Sequence, residues 1–229
     1  MGVLKGLKAI KAHQAEQEAR REKSDRPKTT WFKLQGGTSA KVRFLQELDE
    51  ESPHYSEKNG LALMVVEHRH PTRFMQKAVC TADEGGCWAC EMNAANPREG
   101  WHQRTQLYAN VLVDDGTNEP YVALFSRADG KNSIVGTIVE YAEENDSISN
   151  RWFKITRKGT GKEDTSYSIM GFDPKDDVNV EDYELFDLQN VLREVPYDKQ
   201  EEHYNFVWEN RDNKDSAPKE ETTSINEKW

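Results

Sequence analysis

All three cysteines of this 229-residue chain, Cys80, Cys87 and Cys90, fall within eleven residues. Cys87-Trp88-Ala89-Cys90 is a C-x-x-C knuckle, with His68 and His70 shortly upstream. Thiolates and one imidazole suit a tetrahedral d¹⁰ ion such as Zn²⁺. A two-residue gap lets both knuckle sulfurs reach one metal at about 2.3 Å. His68 follows the apolar run Leu61 to Val66, so a strand end would aim it at the cysteine loop. His70, beside Pro71, is the alternative fourth ligand. The expectation is one structural Cys₃His zinc site built by His68, Cys80, Cys87 and Cys90, which would force the loop between them into a clamped insert.

Other uses of these thiols fit less well. A redox C-x-x-C opens a helix in a βαβ context, whereas Thr81-Ala82-Asp83-Glu84-Gly85-Gly86 reads as a loop. A disulfide framework wants an even count and a secreted setting. A catalytic zinc keeps one position open and needs a general base. Zinc deaminases carry H-x-E and P-C-x-x-C, but here the matching positions are His68-Arg69-His70 and Gly86-Cys87. The chain is expected not to be an enzyme.

Charge is distributed unevenly. The net charge is −10. Residues 1–28 carry eight basic and four acidic groups, and residues 175–229 carry seven basic and sixteen acidic groups. The head is therefore +4, the tail −9 and the body −5. No apolar run approaches the ~20 residues of a membrane span, and Met1 to Gly6 lacks the apolar stretch of a signal peptide. A protein of the cytoplasm, where thiols stay reduced, is the expectation. Residues 1–27 read as a basic helical arm whose apolar stripe (Val3, Leu4, Leu7, Ile10) stops at Gln14. Residues 28–175 read as the core, 176–209 as an acidic helical extension with a short helix over Tyr183 to Leu192, and 210–229 as a disordered acidic tail.

Within the core, Ser39 to Leu45 alternates polar and apolar residues with period two. Thr30 to Leu34 and Ser39 to Leu45 read as a hairpin around Gln35-Gly36-Gly37-Thr38. Leu61 to Val66, Arg104 to Val113, Pro120 to Phe125, Trp152 to Arg157 and Thr165 to Met170 read as further strands, and Lys131 to Glu144 as a helix. The fold class is mainly β: an OB-fold-like barrel with an inserted zinc loop.

Cations and aromatics share these strands. Trp31, Lys33, Lys41 and Arg43 fall on the first pair, Arg104, Tyr108 and Phe125 on the middle one, and Trp152, Lys154, Arg157, Lys158 and Tyr167 on the last. A single-strand binder needs both ingredients, because cations track phosphates and rings stack bases at ~1–3 kcal/mol each. Parity puts Trp31 with Lys33 and Trp152 with Lys154, opposite Phe32, Phe44 and Phe153, which fit the core. The competing use of such aromatics is burial.

The spaced His…Cys…Cys-x-x-Cys, the run Arg104-Thr-Gln-Leu-Tyr-Ala-Asn-Val-Leu-Val113 and the run Phe153-Lys-Ile-Thr-Arg157 with its Gly-rich turn are similar to the phage single-stranded DNA-binding proteins of the T-even helix-destabilising type. Trp31-Phe32-Lys33-Leu34 and Val42-Arg43-Phe44-Leu45 resemble their first barrel strands. The resemblance covers roughly residues 28–175. It implies an OB fold with one structural zinc and coating of single-stranded DNA in replication, recombination and repair. It further implies self-association on DNA through residues 1–27, and an acidic tail that recruits replication and recombination proteins. Ile225 and the terminal Trp229 are the expected partner contacts of that tail. The alternatives are a zinc-stabilised scaffold or regulator acting through its tail, and a zinc-dependent nucleic-acid enzyme.

Overall fold

The computed structural model describes Lys11 and residues 29–116, 119–130, 133–161, 164–172 and 178–206. The expected arm, the tail and its Ile225 and Trp229 lie outside the described residues, apart from Lys11. Seven strands form one antiparallel sheet: β1 Ser39–Phe44, β2 Leu63–Arg69, β3 Lys77–Val79, β4 Arg104–Asp114, β5 Tyr121–Ala128, β6 Trp152–Lys158 and β7 Ser166–Gly171. Among the described residues three α-helices accompany them: α1 Trp88–Ala95, α2 Val135–Asn145 and α3 Tyr197–Asn205. No helix among these residues is long and apolar enough to cross a membrane.

The chain divides into two compact units. Of the described residues, the first comprises Lys11 and those within 29–66 and 104–191. Its strands run β5-β4-β1-β6-β7 across the sheet. Strand β1 is central, with Val42 opposite Val113 on one side and Phe153 on the other. Period-two alternation sends Ala40, Val42 and Phe44 inward with Phe153 and Ile155. The Phe44 ring meets Phe125 and Phe153 edge-on at 5.5 and 5.6 Å. Helix α2 lays Val135 and Ile138 onto this core, and Tyr141 packs edge-on against Phe153 at 5.2 Å.

The expected first hairpin does not form. Both edges of β1 are occupied, by β4 and β6, so Thr30–Leu34 has no place beside it. The segment instead lies along the outer edge of β5. Phe32 N–H donates to the Leu124 carbonyl and Leu124 N–H to the Thr30 carbonyl, both at 2.8 Å. Gly37 N–H then reaches the Arg157 carbonyl at 3.0 Å. Phe32 and Leu34 keep their inward parity and join the core, while Trp31 and Lys33 stay exposed.

Of the described residues, the second unit comprises 67–103 and 192–206. Glu67–Arg69 of β2 pairs with Lys77–Val79 of β3. Its core is small and aromatic. Trp101 meets Trp88 and Tyr204 edge-on at 5.2 and 5.0 Å, and Ala78, Cys87, Ala89 and Val195 fill in around them. No α-helix covers Tyr183 to Leu192; the last described helix is α3, further along the chain. Residues 192–206 therefore belong with the cysteine loop rather than to a separate extension.

Candidate metal centre

Three short elements bring the cysteine loop to a point. His68 is the penultimate residue of β2 and is buried. Cys80 follows the last residue of β3. Cys87 is the N-cap of α1, and Cys90 lies in that helix's first turn. The knuckle thus opens a helix after all, where exposed backbone N–H groups favour negative charge and so favour thiolates. Gln200 of α3 fixes this start: its side-chain oxygen accepts from Trp88 N–H at 2.9 Å, and its amide donates to Thr81 Oγ1 at 2.8 Å.

His68, Cys80, Cys87 and Cys90 offer donor atoms that all lie within 4.8 Å of one another. The Cys80 and Cys90 sulfurs are 3.6 Å apart, too far for a disulfide, and His68 Nε2 is 3.2 Å from Cys90 Sγ. Tetrahedral S₃N ligation places neighbouring donors roughly 3.6–3.8 Å apart, so these side chains fit a metal ion with little movement. His68 Nδ1 faces the Trp101 carbonyl at 2.8 Å. A carbonyl only accepts, so the ring proton sits on Nδ1 and the Nε2 lone pair points at the sulfurs. This is the usual outer-shell orientation of a ligating histidine. Burial holds the His68 imidazole below its ordinary value, against the opposing hydrogen bond to Trp101. It is therefore neutral at pH 7, as a ligand must be.

The thiols constrain one another. Burial pushes Cys90 up to about 12, and its hydrogen bonds with Cys80 and Cys87 and their charges add to the rise. Burial also works against the Cys80 thiolate. Hydrogen bonds from the Ala82 backbone, the Gln103 amide and the other two thiols outweigh it and bring Cys80 below its ordinary value. Gln103 Nε2 donates to Cys80 Sγ at 3.3 Å and to Cys90 Sγ at 3.5 Å. Three thiolates this close need a cation among them. His70 takes no part: its Nδ1 accepts from Thr72 and Arg73 N–H at 3.1 Å, and its ring packs against Trp101.

The expected strand-surface residues divide. Trp31 (38% exposed), Lys33, Lys41, Arg104, Lys154 and Lys158 face solvent, and Trp152, Arg157 and Tyr167 are half-buried. Three expectations are corrected. Tyr108 and Phe125 are fully buried, so neither ring can stack on a base. Arg43 is buried as well, its Nε donating to the Ser149 carbonyl at 2.8 Å. Phe125 lies on the core side of β5. Tyr108 has the opposite parity, but that face of β4 is covered too, as buried Gln106 and Asn110 attest. Residue spacing carried no signal for Trp101, Gln103 or Gln200, because each acts through a partner far along the chain.

Comparison with protein-family models, curated proteins and solved structures returns no match for this chain.

Proposed function

We propose that the chain is a non-catalytic single-stranded DNA-binding protein, braced by one structural zinc, that coats and protects unpaired strands in phage replication, recombination and repair. The strand order β5-β4-β1-β6-β7, with α2 between β5 and β6, supports an OB-type barrel as its core. Sulfur-rich S₃N donation favours zinc over the harder ions that prefer oxygen. Four protein ligands leave no open position for a substrate or water, which supports a structural rather than catalytic ion. The acidic tail and basic head would then recruit replication and recombination proteins and link neighbouring copies along the strand in the host cytoplasm.

The observation that carries this reading is a cross-strand lysine pair. Lys41 of β1 and Lys154 of β6 lie directly opposite each other, both exposed. Like charges in that position repel, at roughly 0.2–1 kcal/mol. A phosphate between them converts the cost into attraction. Trp152 precedes Lys154 on the same face, Lys158 follows it, and exposed Met170 stands across from Lys154 on β7. Asp114 flanks Lys41 on the β4 side, so the cationic track runs along β6.

The test is a titration of the full chain into fluorescent oligo-dT and a matching duplex at several salt concentrations, with bound zinc measured on the same sample. The expected result is one zinc per chain, preference for the single strand and steep loss of affinity with salt. Replacing Lys41 or Lys154 by Ala should reduce the salt slope by about 0.7 for each phosphate no longer neutralised. Replacing Trp152 by Ala should weaken binding tenfold or more without changing the slope. Equal indifference to single strand and duplex at low salt would leave the tail-driven scaffold as the better account.

A further inference from the structure

A second cationic group lies on the core side of the sheet, where charges are rarely placed. Arg127 has the inward parity of Ala123 and Phe125 on β5. Arg157 has the inward parity of Phe153 and Ile155 on β6, and its register partner on β7 is Tyr167. The Arg127 guanidinium lies 4.4 Å from the centre of the Tyr167 ring and 5.5 Å from that of Phe125. Both arginines are held rather than waving in solvent. Arg127 donates from one terminal nitrogen to the Ser126 carbonyl at 2.8 Å. Arg157 donates to the Leu34 carbonyl at 2.8 Å and to Thr165 Oγ1 at 3.3 Å.

Two partly buried cations on the core side of a sheet normally recruit a carboxylate. Among the described residues, neither has one: their hydrogen-bond acceptors are carbonyls and a hydroxyl. The Nε–H of each is buried and has no hydrogen-bond partner. Burial draws the Arg127 guanidinium below its ordinary value, and the neighbouring charge of Arg157 draws it further, against the opposing effect of Tyr167. The missing element is an anion with several acceptor oxygens, the match for planar guanidinium donors.

We propose that Arg127, seated against the Tyr167 ring, and Arg157, the register partner of Tyr167, form a phosphate-binding site on the core side of the β5 and β6–β7 ends. Its ligand is a phosphate group, and under the single-strand reading, on which this assignment of the source rests, it is a backbone phosphodiester. Arg127 is the anchoring residue that strand patterning overlooked, because inward parity on β5 marks it for the core. Tyr167 holds its guanidinium flat by cation–π contact.

Two measurements on the full chain decide it. In the first, ¹⁵N-labelled arginine Nε–H signals are followed while sodium pyrophosphate is added, against sodium chloride of equal ionic strength. Two signals, assigned through Arg127→Lys and Arg157→Lys, should shift and saturate with pyrophosphate alone. In the second, the salt slope of oligo-dT binding is compared with Arg127→Gln and Arg157→Gln. Each should lower the slope by about 0.7, with Lys restoring most of it. If oligo-dT binds the parent chain while both slopes and both signals stay unmoved, the site is overturned and the single-strand reading survives. If pyrophosphate moves the signals but oligo-dT does not bind, the site holds for free phosphate and the single-strand reading fails. Should the Gln variants not fold, the pyrophosphate response of the parent chain still decides: saturating shifts support the site, and unmoved signals overturn it.

Discussion

At Cys90, burial first and then the hydrogen bonds and charges of Cys80 and Cys87 push the thiol up to about 12. Binding a metal there must expel protons, so affinity rises with pH. Under the proposed zinc reading, Cys90→Ser is expected to abolish binding of the one zinc ion, measured by metal analysis of the purified chain. His203 provides a separate pH dependence. Burial holds it below its ordinary 6.5, opposed by the hydrogen bond to the Lys77 carbonyl and assisted by Arg193. The folded state therefore binds fewer protons than the unfolded one. The stability it contributes is complete above about 6.5 and declines as pH falls toward the lower folded value. Melting temperature should drop between pH 7.5 and 5.5, and His203→Gln should flatten that drop. Arg43 illustrates what residue-level reading misses. Its parity with Lys41 was legible, but its depth was not, because the Ser149 carbonyl that receives its Nε–H lies 106 positions away. Arg43→Ala should cost about 1–3 kcal/mol in urea unfolding and leave the oligonucleotide salt slope unchanged.

At the scale of elements, period-two alternation identified β1, and runs bounded by turn residues identified β4, β6 and β7, each to within a residue or two. The pairing of Thr30–Leu34 escaped it. Alternation specifies which side chains point inward, but not which edge the backbone joins. Helix α3 escaped for a different reason. Tyr197–Asn205 is mostly polar, and only Gln200 and Tyr204 are buried, so almost no apolar stripe marks it. The β6–β7 turn provides a sharp test. Gly159 has φ +75°, and a Cβ there would fall 2.2 Å from the Asp164 carbonyl oxygen. Gly159→Ala should destabilise the first unit by about 1–3 kcal/mol, read as a shifted urea midpoint at constant m-value. Ile138→Ala in α2 removes a fully buried side chain and should cost about 2–5 kcal/mol.

At the scale of the molecule, each unit has its own core, and only the second contains the candidate metal ligands. Its core is a few aromatics with small residues, too little apolar surface to hold a loop of this length unaided. Chelation should therefore speed amide hydrogen exchange at Ala78, Val79 and Trp88 while Val42 and Phe153 stay protected; uniform acceleration would contradict a structural ion confined to the second unit. A net charge of −10 says little about binding here, because carboxylates gather at turns and termini while Lys41, Lys154 and Lys158 occupy a strand face. The sequence by itself determined the three cysteines of the candidate site, with His68 or His70 as the fourth donor, the strands and the inward or outward sense of most side chains. Those properties follow from local spacing and the geometry of the extended chain. Only the tertiary structure decided that residues 192–206 join the cysteine loop, that Thr30–Leu34 lines β5, and that Arg127 packs against Tyr167, the register partner of Arg157. Those outcomes depend on which edges remain vacant and which distant groups can satisfy a buried donor, and neither is written in the order of neighbouring residues.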